Sequence, residues 1–270
     1  MPPRSPLHTA TAHSDRWARG LQAWLAGWWA LIHFGAQILV LALSPSSHRR
    51  GQRSLVAHTL YRATRPLLPS FTVLSALVAT VIIRIVLATA LSYGLSRYAL
   101  DVLVRTLVLE LIPLSAAMFV AVRYTLAAGD HVREMRARGE FERQLAAGFD
   151  PTRDEVLPRA LAGMFAVVAL AAVSGAVTLL LTYLSLYGFS TWGLAGFTRT
   201  VGQVFGPVIA LIFTLKTLFF SLAVSIIPMV DAAGRRHDRA ARERDDLQRL
   251  ARLLAVILLV EVASLVGNYY

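Results

Sequence analysis

The sequence predicts an all-α, polytopic membrane protein with five transmembrane helices, preceded by one helix lying along the membrane interface. Three observations predict it. The chain of 270 residues is 56% hydrophobic and only 16% charged, with a mean hydropathy of +0.56. Its charges are bunched between apolar runs of 18 residues or more, the pattern of a chain that passes repeatedly between bilayer and water. Its net charge of +11 is nearly all arginine placed beside those runs, Lys216 being the sole lysine.

The first apolar run, residues 21–43, reads "LQAWLAGWWALIHFGAQILVLAL". At about 100° per residue, Trp17, Leu21, Trp24, Trp28, Gly35 and Leu39 share one face, and Arg19, Gln22, Ala26, Ala30, His33 and Gln37 share the other. Trp favours the membrane–water boundary. A helix in the plane of the interface fits this pattern, although the run is long enough to span. It is also longer than the apolar core of a signal peptide, so no cleavage is expected. Residues 1–53 thus read as a tail with an interfacial helix, and 54–270 as the membrane domain.

Residues 44–65 hold five Arg and no acid, and a short elbow helix from Ser54 to Arg65 is expected to feed the first span. The spans are expected at 71–95 with Arg84, 106–127 with Glu110, Pro113 and Arg123, 160–189, 204–230 with Lys216, and 251–269 with Glu261. Orientation follows from basic residues in short connections. Five Arg lie in 44–65, six in 129–159 and seven in 231–252, whereas 96–105 and 190–203 hold two and one. The Arg-rich loops are therefore expected in the cytoplasm, with the N-terminus cytoplasmic and the C-terminus on the opposite side.

The loop 129–159 is the long one. From Gly129 to Gly163 the chain carries thirteen formal charges of both signs. Gly139 and the "GFDP" turn should divide it into short helices, and no clean apolar stripe runs through it. On its residues alone it reads either as a solvated helical hairpin or as a docking element.

Ionisable residues inside spans usually face the bundle interior and pair, because each costs roughly 2.5–3.5 kcal/mol or more if left alone. Lys216 lies fourteen positions before Val230 and Glu261 ten after Ala251. Those depths are compatible with an ion pair between the two. Glu110 reads as an interface-level residue near an outer loop or as a polar lining. Arg84 and Arg123 can snorkel, be buried between subunits or touch lipid phosphate.

Several chemistries find no support. There is no cysteine, hence no disulfide or thiol catalysis. No G-x-x-x-x-G-K-[ST] motif occurs; Lys216 follows Leu215 in an apolar run. No His/Asp/Glu set has metal-ligand spacing, His33 and His131 being isolated. No nucleic-acid recognition motif accompanies the basic charge, so anionic lipid is the better partner for it.

Five stretches, in order, resemble the MlaE/YrbE family of ABC transporter permeases. "ELIPL" (Glu110 to Leu114) resembles the family's Glu-Leu-Gly-Pro turn, with Ile112 for Gly. Met135 and Arg136 fall where the family often has Met-Arg. "FDPTRDEVLPRALAG" matches an Asp-Pro…Pro-Arg signature at Asp150, Pro151, Pro158 and Arg159. "LKTLFFSLAVSIIP" resembles a Lys-Ser segment with Thr217 for Ser, and "AVILLVEVASLVGNYY" resembles the last span, with Glu261 acidic. The family's Gly-Arg-x-Gly-Ser-Ala…Ala-Glu-x-Gly stretch is the departure. It reads "VRYTLAAGDHVREM", keeping Arg123 but losing most small residues, and close helix packing is not expected there.

The resemblance covers roughly residues 54–270 and implies a permease for phospholipid or a related amphipath between the inner and outer bacterial membranes. It implies an ABC ATPase subunit that binds the ATP and Mg, this chain holding no cofactor, together with an MCE-domain protein and a second copy of the chain. It makes 129–159 the coupling helices, with Met135, Arg136, Arg143, Asp150, Pro151 and Arg159 as contacts to the ATPase. Glu110, Arg123, Lys216, Glu261 and Arg84 become candidates for the lipid path or its intramembrane charge. The alternative is a scaffold of the same complex that no longer transports.

Overall fold

The computed structural model describes residues 33, 35–37, 40, 50–233 and 242–269. The expected interfacial helix lies mostly outside the described residues. Its described members are helical, and a side chain built on Gly35 would touch Ile226 at 3.3 Å.

The described residues form helices and no strand, and five helical stretches are long and apolar enough to cross a membrane: Val56–Ser92, Tyr98–Ala137, Thr152–Tyr187, Pro207–Val230 and Leu247–Asn268. The chain is an all-α, multi-pass membrane protein. Helix α1 (Arg50–Ser92) absorbs the expected elbow: Pro66 and Pro69 lie inside one continuous helix. Each proline removes one backbone hydrogen bond, which a membrane helix tolerates when neighbours cover the freed carbonyl. The freed carbonyls are those of Arg62 and Arg65; one turn further on, Ser70 Oγ also donates to Pro66 O at 3.1 Å and Leu67 O at 3.0 Å.

The second span is composite. It runs through α2 (Ser96–Leu103), a π-helical turn (Val104–Leu111), α3 (Ile112–Val120), a second π turn (Ala121–Thr125) and α4 (Leu126–Ala137). The π turns show in the i to i−5 bonds from Ile112 N–H to Leu107 O and from Leu126 N–H to Ala121 O. Each inserts a residue and rotates the face presented by the next helical segment.

Gly139 (φ +69°) separates α4 from the short α5 (Glu140–Ala146). A third π turn (Thr152–Val156) leads into α6 (Leu157–Tyr187). A surface helix, α7 (Leu194–Val204), comes next, then α8 (Pro207–Ala233) and α9 (Arg242–Tyr269).

Helix α6 is central, packing along α1, α3 and α8, with α8 in turn against α4 and α9. The main core joins Phe71, Ala116, Ala117, Val120, Ala166, Leu170, Phe220, Val224, Ile227 and Ile257. Its many alanines let helices approach closely, which is how membrane helices gain packing energy without a hydrophobic drive. Gly163 marks a close approach between helices: a Cβ there would meet Ser225 Oγ and Thr125 Cγ2, each at 2.7 Å. The apolar faces of α1 (Val73, Leu77, Val81, Ile85) and α9 (Leu258, Leu259, Val262, Val266) point outward, where only lipid or another chain can solvate them.

Two expectations fail here. The loop 129–159 is not a free hairpin without apolar organisation. Its first third is the continuation of the span, and Val132, Met135, Phe141, Val156 and Leu157 make a small core beneath it with Ala160 and Met229. The spacing is irregular because α4, α5 and the π turn each contribute one face. Nor is packing loose where small residues are lost. Gly129 presses on α8 so closely that a Cβ would meet Pro228 O at 2.9 Å. One surviving glycine at the crossing point suffices.

Candidate functional site

The Lys216 ammonium, 2% exposed, gathers the intramembrane charges. It makes a short ion contact with Glu110 Oε2, and Glu261 Oε2 lies 2.8 Å from Nζ. The contact with Glu261 is a charge contact at a poor hydrogen-bonding angle, since that oxygen has no aligned donor. Asn268 Nδ2 donates to Glu110 Oε1 at 2.9 Å. The ammonium also lies 5.8 Å from the centre of the Phe220 ring, within cation–π reach.

The local sequence explains how Glu110 arrives there. It stands in the first π turn, next to the Ile-Pro of "ELIPL". Pro113 has no N–H to offer the carbonyl four residues back, that of Leu109. That carbonyl accepts from Lys216 Nζ at 3.4 Å. The turn thus presents a carboxylate and a carbonyl side by side to one lysine. The Lys216–Glu261 pair expected from helix depths is present. Glu110 is its third member and not an interface-level residue on its own. Three spans are tied at one point, with two carboxylates against one ammonium.

Arg84 and Arg123 do not join this cluster. Both are exposed, with no partner among the described residues. Arg123 lines a cleft of about 610 Å³ between α1, α4 and the start of α6, together with His58, Arg62, His131 and Arg159.

The loop residues fall into two groups. Met135 and Pro151 are buried, so they build the loop. Arg136 is half-buried with its guanidinium 5.6 Å from the Phe141 ring. Arg159 makes a short ion pair with Glu155 and donates to Glu155 O at 2.6 Å. Arg143 and Asp150 are exposed. Arg143 Nη2 donates to Arg138 O at 3.2 Å, and Asp150 Oδ1 accepts from Thr152 N–H at 3.0 Å.

Sequence reasoning missed one link. Arg249, 4% exposed, donates from Nη1 to Asp130 Oδ1 at 3.0 Å, tying α9 to α4. Both read as solvated loop charges, and nothing local in either segment signals the pairing.

No curated protein matches the chain. A comparison with protein families matches residues 56–267 to the family described as Permease MlaE. That range takes in four spans whole and the fifth to within one residue, with Glu110, Lys216 and Glu261 and the loop. The family is one of membrane permeases in lipid transport, a transporter subunit rather than an enzyme. The chain belongs to the MlaE permease family.

Proposed function

We propose that this chain is the membrane subunit of an ABC transporter that moves phospholipid or a related amphipath between the inner and outer bacterial membranes. The observation that carries it is the family match over residues 56–267. With no phosphate-binding loop in the sequence, hydrolysis falls to a separate ATPase that binds ATP and Mg. Two copies of the chain would stand over two ATPases, with an MCE-domain protein on the far side. The N-terminus would be in the cytoplasm and the C-terminus in the periplasm.

In this reading the exposed side chains of the loop meet the ATPase, and Arg143 and Asp150 are its best probes. Arg136 lies on Phe141, so its reversal also disturbs the loop. The Glu110–Lys216–Glu261 cluster would join the spans that must move together. The alternative reading, a scaffold that no longer transports, drew on the lost small residues. The tight contact at Gly129 supports the permease reading over it.

The test is purification from native membranes with mass spectrometry of proteins and lipids. An ATPase should copurify, and Arg143→Glu with Asp150→Lys should weaken its retention while the membrane domain stays folded. Unchanged copurification and unchanged lipid-stimulated hydrolysis in that double variant would refute the docking role. Absence of nucleotide-dependent lipid movement in the reconstituted wild-type complex would favour the scaffold.

A further inference from the structure

The cleft of about 610 Å³ beside α1 is chemically unlike the charge cluster. Its volume lies within the roughly 300–1,000 Å³ of small-molecule sites. Arg62 approaches from α1 and Arg123 from the second π turn. Both are exposed, and neither has a partner among the described residues. Two carboxylates also line the cleft: Glu155 is held by Arg159, and Asp154 has an interaction of its own. Ala63, Pro66, Leu67 and Pro158 supply an apolar wall.

Its depth is specific. Arg123 is followed by Tyr124 to Ala128, the last uncharged residues before Gly129 and the charged loop that begins at Asp130, and Asp154 and Glu155 sit in the turn just before α6. The cleft therefore lies where hydrocarbon gives way to the Arg-rich loop, the level of lipid head groups. Arginine presents a planar fork that matches phosphate oxygens. Two of them above an apolar wall suit a group whose head is a phosphate and whose body is apolar.

We infer that this cleft is a binding site for a phosphate ester, with Arg62 and Arg123 holding the phosphate oxygens and the Pro66–Leu67 wall taking the apolar stem. The site is separate from the Lys216 cluster and requires no ATPase. It rests on the cleft alone, so a chain that failed to transport would still bind.

The purified full-length protein, in phosphate-free detergent, is titrated with dioctanoyl phosphatidic acid, dioctanoylglycerol and inorganic phosphate, and adducts are counted by native mass spectrometry. Saturable binding of the phosphatidic acid is expected, at least tenfold tighter than that of dioctanoylglycerol. Arg62→Gln and Arg123→Gln should each weaken it about tenfold, and Arg→Lys at either position should weaken it less. Arg199→Gln, far from the cleft on α7, should have no effect. Inorganic phosphate should compete only at much higher concentration; competition at similar affinity would show that the wall takes no stem and would overturn that half of the inference. Equal binding of dioctanoylglycerol, or phosphatidic acid binding unchanged by both Gln substitutions, would overturn the inference. Arg62 and Arg123 are both exposed, so a folding defect is not expected; retention volume on size exclusion verifies this.

Discussion

A lysine sealed inside a membrane domain is tolerable only with its counter-charges in place. Lys216 has two, from different spans. Removing one member of a buried charge set typically costs about 3–5 kcal/mol, because the remaining charge is stranded. Lys216→Met strands two carboxylates and should lower the melting temperature in detergent more than the triple change Lys216→Met, Glu110→Gln, Glu261→Gln. If the triple variant is the less stable, the cluster is not a mutually compensating set. The partnership of Lys216 with Glu261 was legible because α8 and α9 are adjacent antiparallel spans, and counting residues from their shared loop gives each depth. Glu110 was not legible as a partner. It lies 106 residues from Lys216 in sequence, and the π turn that aims it has no sequence signature beyond Pro113.

Among elements, the five spans follow from apolar runs, and their existence was readable throughout. Their continuity was not. Pro66 and Pro69 suggest a break, yet α1 passes through both, since packing along α6 outweighs two lost hydrogen bonds. Helix α7 was overlooked, though Phe197, Val201 and Val204 repeat at helical spacing, with Phe197 and Val204 buried. Helix crossings make opposite predictions for two glycines. Gly129→Ala places a methyl against the backbone carbonyl of Pro228 and should destabilise by about 1–3 kcal/mol, as overpacking does. Gly196→Ala, on α7 with open space around it, should be neutral or stabilise by up to about 1 kcal/mol through helix propensity. Thermal unfolding of the two variants side by side reads both signs, and a more stable Gly129→Ala would show that α4 and α8 are not in contact there.

For the whole molecule, topology is the property to test, and a chain without cysteine is suited to it. Single cysteines at Ser5, Ser47 and Ala146 should react with a membrane-impermeant maleimide only from the cytoplasm, and one at Thr191 only from the periplasm. Labelling of Ser5 from the periplasm would add a sixth crossing. The second span has a mechanical consequence. It runs helically from Tyr98 to Ala137, but the π turn Ala121–Thr125 stands between the Gly129 crossing and Glu110. The extra residue of that turn sets the angle between the face that meets α8 at Gly129 and the face that carries Glu110. Deleting one residue there would turn the far segment by about 100° about its own axis. Glu110 would then point away from Lys216 while Gly129 kept its place, so the turn works as a phase adjuster between the two ends of the span.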